Sequence, residues 1–321
     1  MAVRPIEKMV SESEMRKMLC ATLIDLAKDN KDIVYLDADL RSACGMAPFA
    51  KEYPERSFNV GIAEANLIGV ACGLSATGKI PFAHSFGTFA TRRCYDQIFL
   101  SGAYAKSNLK LIGSDPGVTA AFNGGTHMPF EDLALMRAVP TARIVEPCDP
   151  VQLKSILPQI VNHYGLDYIR MKRKKTVSVY EEGTEFEIGK AYKLFDGNDV
   201  TIIASGLLVE QAAKAAAKLK EEGINARVLD MFTIKPLDEE AIMAAAKETG
   251  CIVTCENHNV IGGLSSAVSE YVVRNCPVPM EFVGVEDQFG QVGPEDFLRE
   301  EYKLTSENII EKVKKVMERK A

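Results

Sequence analysis

Short, continuously apolar runs alternate with helix-patterned segments, and this alternation restricts the fold more than any other feature of the chain. Residues 33–36, 79–85, 109–113, 143–145 and 168–171 are such runs in the first half, and 200–204, 227–231, 251–255 and 281–285 in the second. A strand apolar at successive positions has no face to give to water, so it is covered on both sides. Helical segments at 11–30, 64–74, 88–105, 130–138 and 150–164 separate the first set. Those at 207–222, 238–247, 263–274 and 305–319 serve the second. The pattern predicts α/β architecture: two domains, each a mainly parallel sheet with helices on both faces. Ser11 and Glu14 have the spacing of a capping box for the first helix. Residues 172–189, rich in KRKK and EEG, lack periodicity and read as the connection between domains.

Composition excludes several classes. A formal charge of −6 argues against nucleic-acid binding, which favours a basic surface. No apolar run is long enough to cross a membrane, and the N-terminus lacks the apolar core of a signal peptide. Eight cysteines fall mostly inside apolar patterns, without a C-x-x-C pair. They read as free buried thiols of a cytoplasmic protein, with neither zinc site nor disulfide framework.

Function in a parallel sheet gathers at the carboxyl ends of its strands. The loops 37–45, 86–89 and 115–127 follow strands and belong to that edge, as does Glu64, which opens a helix after Gly61. An acid followed by Phe86 and Phe89 suits a flat, basic heterocycle: the acid meets a ring nitrogen and a phenyl stacks on the face. Taken singly these residues are ordinary. A first-turn glutamate commonly serves the helix dipole, phenylalanines fill cores, and His127 in a glycine-rich loop could simply be exposed. Their order and spacing carry the argument.

That order resembles the C-terminal half of transketolase. GIAEANLIGVACGLSATG is similar to the family's G-x-x-E helix. PFAHSFGTFATRRCYDQ resembles its P-F/Y-x-x-T-F-x-x-F…R…DQ segment, and GSDPGVTAAFNGGTHMPFEDLALMRAVP its GEDGPTHQP…EDLA…R-x-P run. In the second half, GNDVTIIASG, LDMFTIKPLD and ENHNVIGGLSSAV resemble the family's C-terminal domain. The resemblance implies a pyrimidine-binding domain over 1–173, a linker over 174–190 and a transketolase C-terminal domain over 191–321. It implies thiamine diphosphate as cofactor. The G-D-G…N motif that holds Mg²⁺ and the diphosphate is missing, so both are expected on a separate N-terminal subunit, in a dimer of heterodimers.

The resemblance also implies roles for single residues. Glu64 bonds the cofactor's pyrimidine nitrogen, which calls for a buried, protonated carboxyl. Phe89 stacks on the pyrimidine with Phe86 beside it, and Asp39 and Leu40 line the thiazolium. His127 is catalytic and meets substrate hydroxyls, while Arg16, Arg173 and, more loosely, Ser42 grip a sugar phosphate. Two positions depart from the family. Asp115 stands where a phosphate-contacting histidine is usual, and Asn123 where an aspartate reads a hydroxyl. They suggest a branched, sulfonated or non-phosphorylated sugar. The competing readings are the β subunit of a 2-oxoacid dehydrogenase, a split deoxyxylulose phosphate synthase and a non-catalytic scaffold. His258 in CENHN is expected to cap a loop.

Overall fold

A computed structural model describes residues 3–4 and 6–320, apart from the side chain of Glu12. Its two large open sheets follow the predicted α/β plan, and a two-stranded pair lies outside them. The larger has seven strands in the order Thr233–Lys235, Arg143–Val145, Asp167–Met171, Lys110–Ser114, Ile80–Phe86, Ile33–Asp37, Ser57–Asn59. Six run parallel, and Thr233–Lys235 joins the edge antiparallel. The smaller has the order Met280–Val285, Ile252–Asn259, Val200–Ala204, Ala226–Asp230, Tyr192–Phe195, with only the last strand antiparallel. Every residue of Ile33–Asp37, Lys110–Ser114, Asp167–Met171 and Val200–Ala204 is buried, as continuously apolar strands require.

Several local expectations fail for identifiable reasons. Ser11–Glu14 is a strand, and the helix begins at Met15 without a side-chain cap. The capping box does not form because that backbone pairs antiparallel with Lys175–Val177. The same pairing structures part of the segment expected to be a plain linker. The helix predicted over 88–105 is broken into Gly87–Ala90, Arg92–Cys94, Tyr95–Gln97 and Ile98–Tyr104. Thr91 marks the break: its hydroxyl donates to Gly87 O at 2.7 Å, and a threonine that bonds back to the preceding turn bends a helix. The edge strands Tyr192–Phe195 and Thr233–Lys235 are short, without a long apolar run to announce them.

The two sheets meet through a buried polar network. Arg170, fully enclosed on its strand, donates to Asp132 Oδ2 at 2.7 Å and to Asn257 O at 2.9 Å, and it pairs with Glu146. Ser205 Oγ of the second sheet donates to Glu146 Oε2 at 2.7 Å. The guanidinium's charge holds Asp132 below its usual range, whereas burial pushes Glu146 up. His258 lies beside this network, not in a loop: it is the penultimate residue of the strand Ile252–Asn259, fully buried, with Nδ1 2.6 Å from Asn259 O. Burial lowers it to about 4, so it is neutral.

Candidate active site

The residues singled out in the sequence lie at or beside the carboxyl edge of the seven-stranded sheet. Ile33–Asp37 runs into a loop fixed by its last residue, since Leu40 N donates to Asp37 Oδ1 at 2.9 Å. Asp39 takes a left-handed φ of 62°, held by two bonds with Asn59: its N–H to Asn59 Oδ1 and its Oδ1 from Asn59 Nδ2, each 3.0 Å. Gly61 N also donates to Asn59 Oδ1 at 2.9 Å, which sets the turn that delivers Glu64 to the start of its helix. Asp39 and Ser42 are exposed and Leu40 half-buried.

Glu64 is buried, as expected, but it is not an isolated acid. Its Oε1 accepts from Arg93 Nη1 at 2.9 Å, and the Arg93 guanidinium lies 3.9 Å over the centre of the Phe89 ring. Arg93 thus occupies the carboxyl group on the side of the Phe89 ring. Phe86 and Phe89 stand 6.1 Å apart at 59°, so they form a wall, and His127 meets them at 5.8 and 5.0 Å. On the far side, the Arg173 guanidinium sits 4.5 Å from the Phe86 centre. Its Nη1 donates to Ala43 O at 3.0 Å, and Arg16 Nη1 donates to the same carbonyl at 2.9 Å. A continuous strip results: Glu64, Arg93, Phe89, His127, Phe86, Arg173, Ala43 O, Arg16. It offers an acid and two rings at one end and two arginines at the other.

Asp115 does not reach out of this strip. It is buried, with a positive φ of 55°, and it accepts from Arg173 Nε at 2.8 Å and from Arg173 N at 3.2 Å. It positions the arginine. Asn123 is exposed and half-buried His127 bonds Thr126 Oγ1 at 2.9 Å. Neutral groups back the arginine end: His84 is lowered to about 3 by burial, then by Arg173, and burial pushes the Cys44 thiol up to about 12. The local charge therefore comes from the arginines and carboxylates.

The second domain braces the loop that carries His127. Asn257 Oδ1 accepts from Val118 N at 3.0 Å, and its Nδ2 donates to Pro116 O at 2.9 Å. Gly117, at φ +50°, lies so close to Asn257 that a Cβ would have no room. Gly125 similarly abuts Gly290 O. Asn257, Arg93, Asn59 and the Ala43 carbonyl are working parts that the sequence reading passed over. Arg93 sat within a recognised motif, but its direction depends on the broken helix. Asn257 gives no local signal, because its target is over a hundred residues away.

Residues 11–177 match the transketolase pyrimidine binding domain, and residues 189–309 match the transketolase C-terminal domain. The chain belongs to the transketolase family. It is 48% identical to the 6-deoxy-6-sulfo-D-fructose transketolase subunit SqwH of Clostridium sp. (strain MSTE9), over 99% of this chain and 98% of that one. Human transketolase is 36% identical over 88% of this chain, which corresponds to only 45% of the human protein. The structure superposes on a split gene transketolase described as an inactive β4 tetramer, with a TM-score of 0.91 and 41% identity. The match covers 97% of this chain and all of that one. This is a transketolase-type chain of the split kind, and its family depends on thiamine diphosphate. The dehydrogenase, synthase and scaffold alternatives are disfavoured, since these relatives are named as transketolases or their subunits.

Proposed function

We propose that this chain supplies the pyrimidine half of a thiamine diphosphate site and the sugar-binding arginines of a two-carbon ketol transferase. A separate subunit supplies the diphosphate and Mg²⁺ ligands, and two of each chain assemble in the cytoplasm. The observation that carries the reading is the buried Glu64 beside the Phe86–Phe89 wall, with His127 against both rings. The residues suit the cofactor. Along the same stretch Ser85 Oγ and Thr88 Oγ1 are buried without hydrogen-bond partners among the described residues, and polar atoms in that state call for a further polar group.

When bound, thiamine diphosphate supplies a carbon nucleophile that carries a two-carbon unit between sugars. Glu64 holds a proton at the pyrimidine nitrogen, and Arg93 turns off the carboxylate to let the ring approach. Phe89 stacks on the pyrimidine and Phe86 keeps water from its edge. Asp39 and Leu40, with Asn59 fixing the loop, line the neighbouring ring. His127 bonds substrate hydroxyls and moves a proton at the sugar oxygen, with Asn123 at the same loop. Arg16, Arg173 and Ser42 hold an anionic group at the far end of an open-chain ketose.

Calorimetric titration of thiamine diphosphate and Mg²⁺ tests the assembly. Tight binding is expected only when this chain and its candidate partner are mixed, and Phe89→Ala in the mixture weakens it by about tenfold or more. Equal binding to the partner alone contradicts the proposal.

A further inference from the structure

The two arginines at the sugar end are each already matched by a carboxylate. Arg173 presents Nε to Asp115 Oδ2 at 2.8 Å, and its Nη2 pairs with the same oxygen. Arg16 presents Nε to Glu14 Oε2 at 3.1 Å, while the solvated Lys17 lies 3.5 Å from that oxygen. Both guanidiniums spend a further donor on Ala43 O. Gly45 packs against the Arg16 stem, where a Cβ would come within 3.1 Å of it. The arginines are therefore held in a fixed geometry, each charge matched by one carboxylate, with Lys17 adding a solvated cation at the Glu14 end. Asp115 is buried, so water does little to screen it. The neighbouring His84 is neutral and adds no compensating cation.

Such a site distinguishes anions by charge number. A sulfonate carries one negative charge at any pH a protein tolerates, whereas a phosphate monoester, with a second pKa of about 6, carries about 1.5 to 2 at pH 7. Both present oxygens to a guanidinium fork, so shape separates them little. The second charge of the phosphate meets the fields of Asp115 and Glu14, and the further cation beside them, Lys17, is solvated and therefore well screened. We propose that the Asp115–Arg173 and Glu14–Arg16 pairs select a ketose whose far end is a singly charged sulfonate over one ending in a phosphate dianion. Asp115 is then a specificity-determining and positioning residue, acting through Arg173. The inference rests on the ketol-transfer reading for which end of the sugar meets the arginines.

The test compares kcat/KM of the complex with its diphosphate-binding partner for 6-deoxy-6-sulfofructose and for fructose 6-phosphate at pH 7.5. The wild type favours the sulfonate by about tenfold or more, equivalent to about 1.4 kcal/mol. Asp115→Asn moves the ratio about tenfold toward the phosphate, mainly through KM, and Glu14→Gln moves it the same way by less. A wild type that prefers the phosphate, or variants that slow both sugars equally, overturns the inference while leaving ketol transfer intact. Melting of the same complex with methanesulfonate or methyl phosphate gives a readout that needs no turnover. Methanesulfonate raises the wild-type melting temperature more, and Asp115→Asn reverses the order. If neither sugar reacts but this reversal appears, the transfer reading fails and the charge selection stands. Equal shifts from the two anions, unchanged in Asp115→Asn, count against charge selection.

Discussion

Asp230→Asn makes a sharp test of the buried interior. Asp230 ends the strand Ala226–Asp230 fully enclosed, and its Oδ2 accepts from Tyr180 OH and Gln152 Nε2, each at 2.7 Å. Oδ1 has no partner. Burial raises the carboxyl from its ordinary 3.8 to about 7, against the opposing pull of the two donors. Between pH 4 and 7 the folded chain thus holds a proton that the unfolded chain has lost. A folded state that binds more protons loses stability as pH rises. At about 1.4 kcal/mol per unit, the two units from pH 5 to 7 cost roughly 3 kcal/mol, with little further change by pH 8. Asparagine keeps an oxygen for Tyr180 and Gln152 but cannot ionise. Urea unfolding of both proteins at pH 5 and pH 8 isolates the effect, because other titrating groups cancel in the difference. Asp230→Asn should gain roughly 3 kcal/mol relative to wild type between the two pH values. Parallel pH profiles for the two proteins would refute the reasoning.

Three further outcomes follow from the packing. Arg170→Met strands Asp132 and Glu146 in the interior, and loss of one partner from a buried charged network costs about 3–5 kcal/mol, read as a lower urea midpoint. Gly117→Ala forces a side chain into a left-handed position against Asn257; a destabilisation of about 1–3 kcal/mol is expected in thermal melting. His127→Ala, at a half-buried position whose ring bonds the exposed Thr126, should leave stability within about 0.5 kcal/mol while kcat/KM for ketol transfer falls at least tenfold.

The architecture was legible because burial on both faces writes itself into consecutive residues. Runs such as IVYL and VTIIA admit no half-exposed strand, and the segments between them carry helical periodicity. Ser11–Glu14 was misread because its polar pattern satisfies a helix cap as well as an edge strand, and only the distant Lys175–Val177 decides between them. At the site, the glutamate, the two phenylalanines and the histidine were visible as types at spacings. Their partners were not. Arg93 reaches Glu64 because the chain turns at Thr91, and Asp115 turns inward to Arg173 because its backbone adopts a positive φ. The support from Asn257 crosses between the two sheets, and no local pattern encodes such a contact.

The central claim is that Glu64 serves a cofactor shared with a second subunit. Two-carbon transfer from a ketose to an aldose should be measured with thiamine diphosphate and Mg²⁺, using this chain, its partner, and the two together. Transfer is expected only from the pair, and Glu64→Gln should reduce it by at least a hundredfold while the complex still assembles. Full activity in the Glu64→Gln complex, or transfer by either chain alone, would contradict the account.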